Sequence, residues 1–236
     1  MSRQQTMKVG AVLLGLTRCT SNALLLSLAR MVAELLLASA RVWTGLRPVW
    51  AGVRPEARQR VYFANHGSHG DFVLIWASLP PHLRRITRPV AGQDYWLASA
   101  LRRFAARRVF RALLIDRQPG QTDPAPVAVM AAALQQGDSL ILFPEGTRNT
   151  SDAPLLPFRS GLYHLHMAHP DAELVPVWID HIRRVMPKGE LIPVPMVCTV
   201  CFGAPLARQP GETKTAFLQR TQDAVLALRP AESLTC

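Results

Sequence analysis

Acidic residues are scarce in this chain: 16 Asp and Glu face 27 Lys and Arg in 236 residues. The net charge of +11 and the pI of about 10.7 therefore require an anionic partner. Nucleic acid, an anionic membrane surface or a phosphate-rich substrate would each meet that requirement. Basic stretches interleaved with aromatics are missing, which argues against nucleic acid. Cysteine is sparse: Cys19, Cys198, Cys201 and Cys236. Cys198 and Cys201 form a C-x-x-C inside the apolar run 197–202. On a strand that spacing sends the two thiols to opposite faces. No second ligand pair lies nearby, so the pattern reads as buried thiols in a reducing compartment rather than as a zinc site. There is no G-x-S-x-G, so a serine on a nucleophile elbow is not expected. Internal repeats and low-complexity tracts are also missing.

What is present is a chain that is 49% hydrophobic, enough for a real core. Its length fits one domain plus an appendage. We place the boundary at residues 50/51, with an N-terminal membrane-associating helical segment at 1–50 and a catalytic domain at 51–236. Residues 9–16 and 23–43 are strongly apolar. The second run has about the length that spans a bilayer, roughly 20 residues. Arg30 and Glu34 interrupt it at i, i+4 spacing, which suits a paired helix face but is costly in mid-membrane. Three readings stay open. Lys8 and the string Ala38-Ser39-Ala40 suggest a signal peptide, though Arg18 and Arg30 break its apolar core. A transmembrane helix is the second. The third is a helix lying in the interface, with Trp43 and Trp50 at the headgroups and Arg41 and Arg47 beside them.

Beyond that segment, Gly52 to Arg60 reads as a linker. Short apolar strands are predicted at 61–64, 113–115, 140–143, 174–179 and 197–202, with a strand or loop at 88–91. Helices are predicted from Asp71 to Leu79, closed by Pro80-Pro81, and from Asp94, as N-cap, to Phe110. Three more are expected from Asp123-Pro124 to Gln136, at 160–168 and at 212–228. Alternating strands and helices imply an α/β fold with a mixed, largely parallel sheet flanked by helices.

Two strings carry chemistry. Asn65-His66-Gly67-Ser68-His69-Gly70-Asp71 follows a predicted strand. His66 can accept a proton near neutral pH, and a turn could bring the Asp71 carboxylate to its imidazole. With no nucleophile of its own, such a base would activate a hydroxyl on the substrate. Phe143-Pro144-Glu145-Gly146-Thr147-Arg148 follows another strand. Gly146 permits a tight turn whose backbone amides, with Arg148, could cradle an anion. The planar guanidinium fork suits phosphate oxygens, and Arg117, also just after a strand, is a natural second clamp. Taken singly, each arginine reads as a solvated cation and the His–Asp pair as a surface histidine beside a capping aspartate.

With both strings in order, residues 60–205 resemble the glycerolipid acyltransferase family, of the 1-acylglycerol-3-phosphate acyltransferase (PlsC) type. The match runs through N-H-x4-D at Asn65, His66 and Asp71, and through Leu114-Ile115-Asp116-Arg117. It continues through a complete F-P-E-G-T-R and through Val175-Pro176-Val177. The resemblance implies His66 as general base, oriented by Asp71. It also implies a glycerophosphate site at Arg117, Glu145, Gly146, Thr147 and Arg148, with Pro176 in the acyl-side motif. The expected acceptor is a lysophospholipid, 1-acyl-sn-glycerol 3-phosphate first, yielding phosphatidic acid. Acyl-CoA or acyl-carrier protein is the expected donor, attacked directly without an acyl-enzyme. No metal and no cofactor beyond that co-substrate is expected. Arg159 departs from many relatives, which have lysine there; the charge is kept, so little change is expected. His69 falls on a variable position of the motif.

Arg84, Arg85, Arg88, Arg102, Arg103, Arg107, Arg108 and Arg111 form a separate cluster, read either as a solvated face or as a patch for anionic lipid headgroups. The chain is expected on a membrane with its catalytic domain on the cytoplasmic side, the inner membrane if the source is bacterial. Other readings are an acyltransferase for a different acceptor such as a lyso-ornithine lipid, a non-catalytic basic membrane-binding module, or a hydrolase using the same histidine.

Overall fold

The computed structural model describes residues 25, 27–29, 31–39, 41–42, 45–68, 70–116, 125–180, 198–207 and 209–230. Helix α1 comprises the helical residues among 25–42. The elements then run β1 (Arg47–Trp50), β2 (Arg60–Ala64), α2 (Asp71–Ser78), α3 (Pro81–Ile86) and β3 (Thr87–Gly92). Next come α4 (Gln93–Trp96), α5 (Ala100–Phe104), a π-helical turn (Ala105–Val109), β4 (Leu113–Ile115) and α6 (Pro126–Gln135). The chain finishes with β5 (Ser139–Leu142), α7 (Gly161–Ala168), β6 (Glu173–Ile179), β7 (Thr199–Phe202) and α8 (Lys214–Leu226).

The strands form one seven-stranded sheet in the order β1-β7-β6-β2-β5-β3-β4. Every pair is parallel except β6 with β7. The central strands β2, β5 and β6 bury both faces, as strands covered by helices on both sides must, whereas the edge strand β1 is largely exposed. Period-two alternation divides the core. Tyr62, Ala64, Val175, Val177 and Ile179 face a cluster that includes Phe72, Ile75, Leu79 and Phe110. Val61, Phe63, Leu174 and Trp178 face the opposite cluster, with Met130, Leu134, Leu165 and Phe217. The two C-x-x-C thiols divide the same way: Cys198 lies in the first cluster and Cys201 packs against the second. Burial, with Asp180 and Asp71 nearby, pushes the Cys198 thiol up to about 11.

The structure corrects the sequence reading in several places. Arg47–Trp50 is an edge strand paired in parallel with β7, and Trp50 stacks on Phe202 at 4.1 Å. Trp50 is therefore part of the sheet packing rather than a headgroup anchor. Arg60 opens β2 rather than closing a linker; its Nε donates to Glu173 Oε2 at 2.9 Å. Pro81 starts a new helix at its first turn, where a missing N–H costs nothing. The expected single helix from Asp94 to Phe110 is broken. Ser99 is extended and its side chain accepts from the Arg102 amide, capping a fresh helix, so Asp94 sits in the first turn of α4 instead. The π turn then shifts the phase after Phe104, so the arginines share no single α-helical stripe. No helix among the described residues is long and apolar enough to cross a membrane. Arg30 and Trp43 lie outside the described residues.

Candidate active site

Strands β2 and β5 are parallel neighbours, with Phe63 opposite Leu142. Their following loops therefore emerge side by side at the C-terminal edge of the sheet, where open α/β sheets place ligands. Those loops are the two chemical strings, and the topology brings them into contact. The Glu145 carboxylate reaches across: Oε1 accepts from the His66 backbone amide at 2.7 Å, and Oε2 from the Leu156 amide at 2.9 Å. The Asn149 amide donates to the His66 carbonyl at 2.7 Å.

Asp71 is fully buried at the first position of α2. Its Oδ2 meets His66 Nδ1 at 2.8 Å and also accepts from the Gly67 and Ser68 amides at 2.7 and 3.0 Å. An ionised carboxylate can only accept, so this contact puts the proton on Nδ1 and leaves Nε2 as the basic nitrogen. The ring lies on Phe143, centroids 4.3 Å apart and planes 18° from parallel. Asn65 secures the base of the loop. Its amide donates to the Ile179 carbonyl at 3.0 Å, and its Oδ1 accepts from the Ile179 amide at 2.8 Å. Asn65 entered the sequence reading only as a motif letter, and Asn149 and Phe143 carried no role there. Their work depends on which strands become neighbours, which no local pattern reports.

Two cavities of about 290 Å³ each meet at His66 and Phe143. One is mainly apolar, lined by Val90, Ile115, Val127, Met130, Leu142 and Leu162. Gly146, Arg159 and Ser160 also line it, as does Asp116. The other runs past Phe72, Tyr95, Trp96 and Asp94 to Thr147 and Arg148. Gly146 adopts a left-handed φ of +70°, the conformation its turn requires. The Arg159 side chain crosses it: a Cβ built on Gly146 would lie 2.6 Å from Arg159 Nε. Arg159 thus belongs to the cleft, more closely than the sequence suggested.

Two residues expected at the ligand site are placed differently. Glu145 is buried, and its two oxygens accept from the backbone amides of His66 and Leu156, so its carboxylate is turned toward the main chain. Pro176 lies in mid-sheet opposite Phe63, its carbonyl accepting from the Gly203 amide at 2.9 Å, and it lines neither cavity. Arg117 and His69 lie outside the described residues.

A family profile described as Acyltransferase matches residues 52–180, more than half of the chain and the span that carries both loops. The chain belongs to the acyltransferase family. Among the relatives of this acyltransferase-family chain are two plant proteins named 1-acyl-sn-glycerol-3-phosphate acyltransferase. The one from Cocos nucifera is 29% identical over 153 residues, covering 62% of this chain and 45% of its own. The one from Limnanthes alba is 29% identical over 164 residues, covering 66% and 53%. The chain thus spans about half the length of these relatives. A crystal structure titled as the 1-acyl-sn-glycerophosphate (LPA) acyltransferase PlsC from Thermotoga maritima shares the fold. Its TM-score is 0.64 at 18% identity, over 88% of this chain and 81% of that one.

Proposed function

We propose that this chain is an O-acyltransferase that moves an acyl group from a thioester, acyl-CoA or acyl-carrier protein, to the free hydroxyl of a lysophospholipid. The names of the relatives favour 1-acyl-sn-glycerol 3-phosphate as acceptor, which would give phosphatidic acid. One observation carries the reading: a buried carboxylate fixes the imidazole at Nδ1, and that imidazole lies where a mainly apolar cavity meets a more polar one that runs to Thr147 and Arg148. In the reaction, Nε2 of His66 takes the acceptor's hydroxyl proton. The oxygen attacks the thioester carbon, the C–S bond breaks, and the leaving thiolate takes the proton back from the imidazolium. Asp71 stabilises the imidazolium formed between these steps. Gly146, Thr147, Arg148 and Arg159 supply donors and positive charge for the phosphate, and the apolar cavity suits an acyl chain.

Membrane association has its own support. Helix α1 buries Ala29 and Leu37 against the core yet exposes Leu28, Met31, Leu35 and Val42, and Leu101 on α5 is 78% exposed. Exposed apolar side chains of this kind suit a membrane-facing surface. With the basic patch beside them, they suit an anionic leaflet, with the catalytic domain on the cytoplasmic side. The deciding experiment incubates His66→Ala and wild-type protein with a labelled thioester and a panel of lysolipids. Wild type should give the diacyl product, and the variant should lose transfer while keeping its fold and vesicle binding. Retained transfer, or free fatty acid as the main wild-type product, would refute the assignment.

A further inference from the structure

A third cavity, of about 880 Å³, lies between α1 and the catalytic domain and shares no lining residue with the two that meet at His66. One wall is apolar, from Ala29, Ala33 and Leu37 of α1. The opposite wall carries Arg84, Arg85, Arg108 and Arg111 over a floor that includes Trp76 and Phe110. The Arg84 guanidinium lies 5.5 Å from the centre of the Trp76 ring, and its Nη1 is buried without a hydrogen-bond partner among the described residues. Burial pulls the Arg84 pKa down; Glu34 opposes this and Arg41 adds to it. Among the described residues, Glu34 is the single carboxylate on the lining. Arg111 is already committed, donating to the Arg85 carbonyl at 2.6 Å with Asp138 at 3.5 Å. The demand for an anion therefore falls on Arg84, with Arg85 and Arg108 at the rim. A buried guanidinium N–H without an acceptor is costly, and a phosphate oxygen is the acceptor its fork fits best.

We propose that this cavity is a second lipid site, which holds the phosphate of an anionic membrane phospholipid on Arg84, Arg85 and Arg108 and lays its acyl chain along α1. The membrane source follows from continuity: the exposed Leu28, Met31 and Leu35 belong to the same helix whose other face lines the cavity. That source rests on the membrane placement proposed above; the site itself rests on the cavity alone.

The test titrates full-length protein with dihexanoylphosphatidylglycerol below its micelle concentration, reading tryptophan fluorescence and equilibrium dialysis. Saturable binding is expected, with dihexanoylphosphatidylcholine binding far more weakly. Arg84→Gln and Arg108→Gln should each weaken binding about fivefold, the effect of roughly one kilocalorie per surface cation. Trp76→Phe should remove the fluorescence change while dialysis still detects the ligand. His66→Ala should bind like wild type, which separates this site from the catalytic assignment. Unchanged binding in both arginine variants, or equal binding of the phosphocholine lipid, would overturn the proposal. Inorganic phosphate binding as tightly as the lipid would overturn the lipid source. Arg108 is exposed, so its variant keeps the test decisive if Arg84→Gln folds poorly.

Discussion

Replacing Glu145 with Gln separates a residue that grips substrate from one that holds the base in place. The glutamate is 2% exposed, and its oxygens accept from two backbone amides, His66 at 2.7 Å and Leu156 at 2.9 Å. Glutamine keeps the shape but offers one acceptor and one NH2. One of the two amides must then face a donor. A buried donor left unsatisfied costs about 1–3 kcal/mol. For a domain of this size, each kilocalorie lowers Tm by about 2–4 °C, so a fall of about 4–8 °C is expected for a mid-range 2 kcal/mol. If the lost bond is the one to His66, the imidazole drifts, and misplacement by an ångström can cost about a hundredfold in rate. The assay pairs a thermal melt with acyl-transfer kinetics against acceptor concentration. Lower Tm and lower kcat are expected, with KM for the acceptor nearly unchanged. An unaltered Tm with a raised acceptor KM would refute the positioning role and return Glu145 to the ligand site.

Further outcomes follow from neighbouring geometry. Gly146→Ala forces a left-handed alanine, costing about 1–2 kcal/mol, and drives Cβ into Arg159. Acceptor KM should rise as Arg159 is displaced, and adding Arg159→Ala should recover part of the Tm without recovering KM. Glu212 forms two hydrogen bonds to Arg220, at 2.7 and 2.6 Å, and these hold its carboxyl below the usual range. Its contribution is complete above the unfolded-state pKa and is lost as pH falls through the depressed folded value. Glu212→Gln should therefore cost about 1 kcal/mol at pH 7 in urea melts, with the difference vanishing in acid.

What the sequence made legible was local. The apolar runs at 61–64 and 174–179 gave strands where the structure has β2 and β6, and the His66–Asp71 spacing gave a real contact because it is closed by one short turn before α2. The misreadings came from tertiary context. Arg47–Trp50 looks like the end of an apolar segment until β7 offers it a partner. The helix expected over 94–110 has adequate propensity throughout, yet the Ser99 cap and the π turn divide it, and neither leaves a strong signal in a run of Ala, Leu and Arg. Glu145 and Pro176 were placed by motif resemblance alone. A motif records which residues recur together, not whether a side chain points toward a cavity or into the backbone.

The scarcity of acid takes on a specific meaning in the cleft. The two carboxylates that contact His66, Asp71 and Glu145, both accept from backbone amides and grip His66 at opposite ends. Asp71 holds the ring nitrogen and Glu145 the main-chain N–H, while the Asn149 amide holds the carbonyl. Every polar group of His66 except Nε2 is thereby committed. A base fixed in this way needs no reorganisation when the hydroxyl arrives, and the ordering entropy is met at folding rather than at each turnover. Under the proposed function, the amides on Asp71 Oδ2 and on both Glu145 oxygens would offset part of the negative charge that opposes a phosphate at Gly146, Arg148 and Arg159. On that proposed reading, the same buried acids that fix the base leave the positive field of the nearby arginines largely free for an anionic substrate.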